Sequence, residues 1–143
     1  MGSIESENNE SAGILTQAVF VYGTLRRGEA NHHWLGDAPL LGQHCTAARY
    51  TLLDLGPYPA VVTKGRTAIV GELYALDEGL LSHLDELEDY PREYTRERIT
   101  IPQGKAWMYL YRQPPADAVI IPSGDWCRWR RTRVRFMRPT RTS

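Results

Sequence analysis

The chain alternates between short apolar runs and dense turn signals, with one stretch of helical periodicity. Residues 18–22 (AVFVY) are continuously apolar and are stopped by Gly23, which predicts a buried strand. Residues 49–55 (RYTLLDL) predict a second strand, closed by the loop Gly56-Pro57-Tyr58-Pro59. Residues 68–76 (AIVGELYAL) predict a third, in which Gly71 marks a bulge or a close backbone approach. Residues 94–101 (YTRERITI) alternate, placing Thr95, Glu97, Ile99 and Ile101 on one face. A turn at 102–105 (PQGK) returns the chain through 106–111 (AWMYLY), so these two runs predict a hairpin. No internal repeat interrupts this pattern.

One segment changes period. Asp77 is a good N-cap, Leu80, Leu81, Leu84 and Leu87 follow at helical spacing, and Pro91 is expected to end the helix. Short strands, many turns and a single helix predict an α+β domain, a closed or nearly closed sheet packed by that helix.

Length and composition agree with one domain. The chain has 143 residues, enough to bury a core without disulfide staples. No apolar run approaches the roughly 18 residues needed to span a bilayer, and the first residues lack the basic start and apolar stretch of a secretory signal. Cys45 and Cys127 have neither disulfide-framework nor metal-site spacing, so buried or half-buried thiols in a reducing cytoplasm are expected. Residues 1–16 are polar and acidic and predict a disordered tail. The domain is expected over 17–127, followed by an arginine-rich tail at 128–143. That tail carries seven arginines and no acid, leaving the rest of the neutral chain with 17 acids against 10 bases.

The helix holds the first sign of chemistry. Four acids, Asp85, Glu86, Glu88 and Asp89, crowd its C-terminal end, where the helix dipole disfavours them. At roughly 100° per residue, the leucine stripe centres between Leu80 and Leu84, and Glu88 lies only about 50° from that centre. Asp85 falls at the stripe's edge, while Glu86 and Asp89 point away. Glu88 is therefore the acid expected to face the interior, where desolvation raises a carboxyl pKa toward the value a general acid/base needs. The alternative is a structural ion pair at the rim with Arg92 or Arg96.

Tyr22-Gly23-Thr24-Leu25 follows the first strand directly. Gly23 permits a sharp turn, and successive N–H groups in such a turn form a concavity for a carboxylate or a developing oxyanion. No Gly-Lys-Ser/Thr follows, so it is not a phosphate loop, and it lacks the dinucleotide fingerprint. His32-His33-Trp34 has no third metal ligand in view and is assigned a surface or structural role.

In order and spacing these segments resemble the gamma-glutamylcyclotransferase-like family. The resemblance rests on residues 19–26 (VFVYGTLR), 56–60 (GPYPA), 84–88 (LDELE), 94–96 (YTR), 106–111 (AWMYLY) and 124–126 (GDW), and covers about residues 18–127. It implies a small mixed six-stranded β-barrel with a few helices. It also implies that the Tyr22–Leu25 loop binds a gamma-glutamyl group and that Glu88 is the catalytic glutamate. Where many members carry glycine after that glutamate, this chain has Asp89. The implied reaction is attack of the substrate's α-amine on its own gamma-carbonyl, releasing 5-oxoproline and a free amine. It needs no metal and no cofactor. Tyr22, Tyr94 and Tyr111 are the aromatic residues expected at the pocket. The expected partner is a small gamma-glutamyl amide, in a monomer or weak dimer, with no membrane. Two other readings remain: a non-catalytic small-molecule binder on the same fold, and nucleic-acid binding through the arginine-rich tail.

Overall fold

A computed structural model describes residues 17–132. The apolar run at the start becomes β1 (Ala18–Val21), and a 3-10 helix (His32–Leu35) leads to β2 (Leu40–Cys45). Then come β3 (Tyr50–Asp54), β4 (Pro59–Thr67), β5 (Val70–Ala75) and helix α1 (Glu78–Leu87). The hairpin β6 (Tyr94–Ile101) and β7 (Gly104–Tyr111) follows, then the short β8 (Val119–Ile120). Residues 126–132 are helical.

β1 is the axis of the molecule. It pairs antiparallel with β5 on one side and parallel with β7 on the other, within a five-stranded sheet ordered β2-β5-β1-β7-β6. Both of its faces are covered, which is why its sequence is continuously apolar rather than alternating. Ala18, Phe20 and Tyr22 pack with Leu52, Val61, Met108, Ile121 and Trp126 on one face. Val19 and Val21 pack with Leu25, Leu81, Leu84, Tyr94 and Tyr109 on the other, beneath α1. Gly71 of β5 is the predicted close approach, since a Cβ there would lie 2.2 Å from the Val21 carbonyl oxygen.

The expected six-stranded barrel is not what the strand pairings draw. Eight strands fall into two sheets, the second ordered β4-β3-β8, and no ladder joins the two among the described residues. Apolar periodicity cannot distinguish these cases, because a closed barrel and two stacked sheets bury the same alternate residues. The mixed α+β class stands, and no helix among the described residues is long and apolar enough to cross a membrane.

Helix α1 starts as its sequence dictates: the Asp77 carboxylate accepts the Leu80 N–H at 2.8 Å. It ends earlier than Pro91, at Leu87, with Glu88 as the C-cap. The stop is set by Asp89, whose φ of 55° lies in the left-handed region. Glycine adopts that conformation freely and aspartate tolerates it better than most residues, so the backbone here has the shape a glycine would give. Cys45 is exposed rather than buried, because it ends edge strand β2; Cys127 is buried, and both are free thiols. The helical residues 126–132 cross the expected boundary at 128. Trp126 and Cys127 belong to the core, and the Trp129 indole N–H donates to Asp54 at 2.9 Å. Residues 1–16 and 133–143, which hold the acidic tail and most of the arginine-rich one, lie outside the described residues.

Candidate active site

A cavity of about 210 Å³ opens where the end of β1, the end of α1 and the start of β6 converge. Its wall includes Tyr22, Gly23, Thr24, Leu25, Asn31, Tyr58, Glu88, Glu93, Tyr94 and Tyr109. The turn after β1 is closed by the Arg26 N–H donating to the Gly23 carbonyl at 3.0 Å. It is braced by Asn31, whose backbone N–H donates to the Thr24 carbonyl at 2.9 Å and whose amide donates to the Thr24 hydroxyl at 3.0 Å. The N–H groups of Gly23, Thr24 and Leu25 make no bond to the protein among the described residues. They are donors in the wall of a cavity, suited to an anionic oxygen.

Gly23 is required for a reason other than the one its type first suggests. Its φ is not positive; instead a Cβ would stand 2.6 Å from Cγ of Pro59. The glycine lets the turn lie directly on the first residue of β4.

Glu88 lines the same cavity as the turn. As the C-cap of α1 it sits one turn beyond Leu84, a fully buried residue of the stripe, and no cation lies within ion-pair distance of it among the described residues. The two arginines that could have held it are engaged elsewhere. Arg96 binds Asp85 through Nε and a terminal nitrogen, each at 2.9 Å, and Arg92 binds Asp89 at 2.9 Å. Burial, reinforced by the negative charge of Glu93, pushes the Glu88 carboxyl from 4.5 to about 7. A carboxyl at that value exchanges a proton readily in either direction at neutral pH.

Tyrosines frame the remaining wall. The Tyr22 hydroxyl donates to the Tyr109 carbonyl at 2.8 Å, and the Tyr94 hydroxyl donates to the Pro59 carbonyl at 3.0 Å. The Tyr109 hydroxyl donates to Asp85 at 2.7 Å. Burial pushes all three phenols above their ordinary range, so they remain protonated donors. Glu93 accepts on Oε2 from Tyr58 at 2.8 Å and from Tyr111 at 3.1 Å, and the bond to Glu93 is the main cause that pushes the Tyr58 phenol up to about 12.

The structure thus brings Tyr22, Gly23, Thr24, Leu25, Tyr94 and Glu88 to one cavity, and leaves Tyr111 outside its wall. Tyr111 pairs with Tyr94 across the β6–β7 ladder and packs edge-on against that ring at 5.0 Å, so Tyr94 and Glu93 screen it. Its neighbour on the same strand face, Tyr109, lines the cavity instead. Parity along β7 allows both, and only depth along the strand separates them. Tyr58 stood in a recognisable loop and Asn31 in a polar stretch, but nothing in their spacing marked them. Glu93 lies past the helix, outside the acid cluster Asp85, Glu86, Glu88 and Asp89.

Behind the turn the chemistry is structural. Arg26 is half-buried: it pairs with Asp125 at 2.9 Å and faces Glu72 at 3.7 Å. Glu72 also accepts the Arg27 N–H at 2.9 Å and the Tyr74 hydroxyl at 3.0 Å. The His32 ring approaches the Leu25 carbonyl at 2.9 Å through Nδ1, a structural role. No metal-binding group of acids, histidines and cysteines occurs among the described residues.

The class this geometry defines is a mixed α+β domain whose cavity joins a half-buried carboxyl to a bare backbone turn. Residues 19–128 match the family described as "Gamma-glutamyl cyclotransferase, AIG2-like", and the chain belongs to that family. A Vibrio cholerae protein named as a candidate gamma-glutamylcyclotransferase is 50% identical over 109 residues, covering 76% of this chain and 94% of that protein. The Escherichia coli gamma-glutamylcyclotransferase family protein YtfP is 43% identical over 108 residues, covering 76% of this chain and 94% of its own. The solution structure of YtfP superposes with a TM-score of 0.64, at 76% coverage of this chain and 95% of that one. An uncharacterised Pyrococcus horikoshii protein of known crystal structure gives a TM-score of 0.71 at 28% identity, covering 82% of this chain and 96% of that one.

Proposed function

We propose that this protein is a gamma-glutamylcyclotransferase that cleaves a gamma-glutamyl amide into 5-oxoproline and a free amine. The observation that supports it most is Glu88: a carboxyl raised to about 7, with no cation partner among the described residues, sharing a cavity with N–H groups of Gly23, Thr24 and Leu25 that are unbonded among those residues. Ionised Glu88 takes a proton from the substrate's α-ammonium. The freed amine attacks the gamma-carbonyl and forms the ring C–N bond, and the carbonyl oxygen, now negative, is met by the turn's N–H groups. As the tetrahedral centre collapses, the amide C–N bond breaks and protonated Glu88 returns the first proton to the departing nitrogen, while the second proton, left on the ring nitrogen by the attack, passes through the same carboxylate to the freed amine. The amine leaves carrying the hydrogens that the α-nitrogen gave up, so the two products account for every atom of the substrate. Attack within one molecule gains its rate from orientation, which Tyr22, Tyr94 and Tyr109 serve as fixed walls.

The test is incubation of the purified chain with a panel of gamma-glutamyl amines, scored for 5-oxoproline. Release by wild type, rising with pH through about 7 as Glu88 ionises, supports the reading. Tight binding with no release from any conjugate would favour a non-catalytic binder on this fold.

A further inference from the structure

The reaction above, on which this inference rests, leaves one charged group of the cavity without a task. Among the described residues the wall contains two carboxylates, Glu88 and Glu93, and no lysine, arginine or histidine. A gamma-glutamyl group brings one ammonium and one carboxylate. The ammonium belongs beside Glu88, where its proton is taken, and the anionic oxygens belong at the N–H turn. Glu93 is then an uncompensated charge, unless the substrate brings a second cation.

Glu93 is built as a receptor for one. Two phenols, Tyr58 and Tyr111, bind its Oε2 and hold the carboxylate in place, while Oε1 accepts no hydrogen bond among the described residues. No arginine among the described residues pairs with it: Arg92 turns to Asp89 and Arg96 to Asp85. Glu93 also stands in the partition between the cavity and an outer groove lined by Arg92, Tyr111, Arg112 and Gln113. It therefore lies where the amine half of a substrate would pass outward. The arginines of the groove repel a cation, so a second ammonium is held at Glu93 and not beyond it. A carboxylate already fixed by neighbours gives up little freedom on binding and forms a charge-assisted bond with a donor.

We propose that Glu93 is a specificity residue that receives a protonated amino group on the leaving half, selecting gamma-glutamyl conjugates of diamines over those of neutral amines. The experiment compares gamma-glutamyl-1,5-diaminopentane with gamma-glutamyl-pentylamide, which match in length and differ in one charge. For wild type, kcat/KM for the diamine conjugate is expected to exceed that for the pentylamide by about tenfold or more. Glu93→Gln keeps an acceptor for the two phenols and should bring the ratio close to one. Glu93→Asp keeps the charge and should retain part of the preference. The ratio is the informative quantity, because losing the Glu93 charge also lowers the Glu88 pKa and alters both substrates alike. An unchanged ratio in a folded Glu93→Gln, or no wild-type preference, overturns the proposal. If wild type turns over neither conjugate, the cyclotransferase reading fails, and calorimetric binding of the same pair then decides Glu93: equal affinities overturn it, tighter diamine binding sustains it.

Discussion

The turn after β1 has two sides that treat their polar groups in opposite ways. On the side facing away from the cavity, Arg26, Glu72, Asp125, Tyr74 and the Arg27 N–H are linked by bonds of 2.9–3.0 Å and a 3.7 Å ion contact. Arg130 adds a 2.7 Å pair with Glu29, fastening the helical residues 126–132 to the same loop. On the cavity side, three N–H groups, the Glu88 carboxyl and one oxygen of Glu93 have no protein partner among the described residues. Helix α1 repeats the contrast within one turn: Asp85 is held by Arg96 and Tyr109, whereas Glu88, three residues later, is not. Paired groups fix geometry, and unpaired ones remain available to a substrate. Mutations on the two sides should therefore separate stability from turnover.

The largest expected effect is on the cavity side. Glu88→Gln should cut 5-oxoproline release by about 10²- to 10⁴-fold, the usual contribution of a proton-transferring group. Its effect on stability should have the opposite sign. With a folded pKa of about 7 against 4.5 unfolded, the native protein holds a proton that the unfolded chain loses, so wild-type stability falls as pH rises from 4.5 to 7. Glu88→Gln removes that fall, gaining on the order of 2 to 3 kcal/mol above pH 7 and nothing below 4.5. Thermal melts at pH 4.5 and 8 check this, and a variant equally stabilised at both would contradict it.

Arg26→Ala tests the other side. It removes the cation facing Glu72 and Asp125, whose side chains are 10% and 22% exposed, and should destabilise the fold by about 3 kcal/mol. The loss should appear in the denaturation midpoint. Residual folded protein should keep a Glu88-like pH profile; loss of that profile without loss of stability would place Arg26 in the chemistry.

Gly23→Ala touches both sides and should cost less, about 1 to 3 kcal/mol, because the new methyl must displace the Pro59 ring 2.6 Å away. Turnover should fall with it as the N–H groups shift, and a folded, fully active Gly23→Ala would mean the turn is only the end of a strand. Asp77→Ala lies on neither side and serves as the control. Loss of the N-cap bond to Leu80 should cost about 1 kcal/mol by urea denaturation, with kcat/KM unchanged.

What the sequence determined by itself was what local periodicity can carry. Residues 18–22 announced a buried strand, residues 94–111 a hairpin, and Asp77 with its leucine stripe a helix whose interior-facing acid is Glu88. These follow from repeats of two and 3.6 residues, which the backbone imposes without knowledge of the rest of the fold. The tertiary structure decided everything that depends on partners distant in the chain. Arg96 chose Asp85 across 11 residues and so left Glu88 without a cation among the described residues; Arg26 reached Asp125 across 99 and became a half-buried brace. Tyr109, not Tyr111, entered the cavity because Tyr22, 87 residues away, binds its carbonyl there. Pro59 made Gly23 indispensable through contact rather than through φ, and two sheets took the place of one closed barrel. Each outcome is a choice among contacts that a local pattern permits equally, and only packing the whole chain around one core makes them unequal.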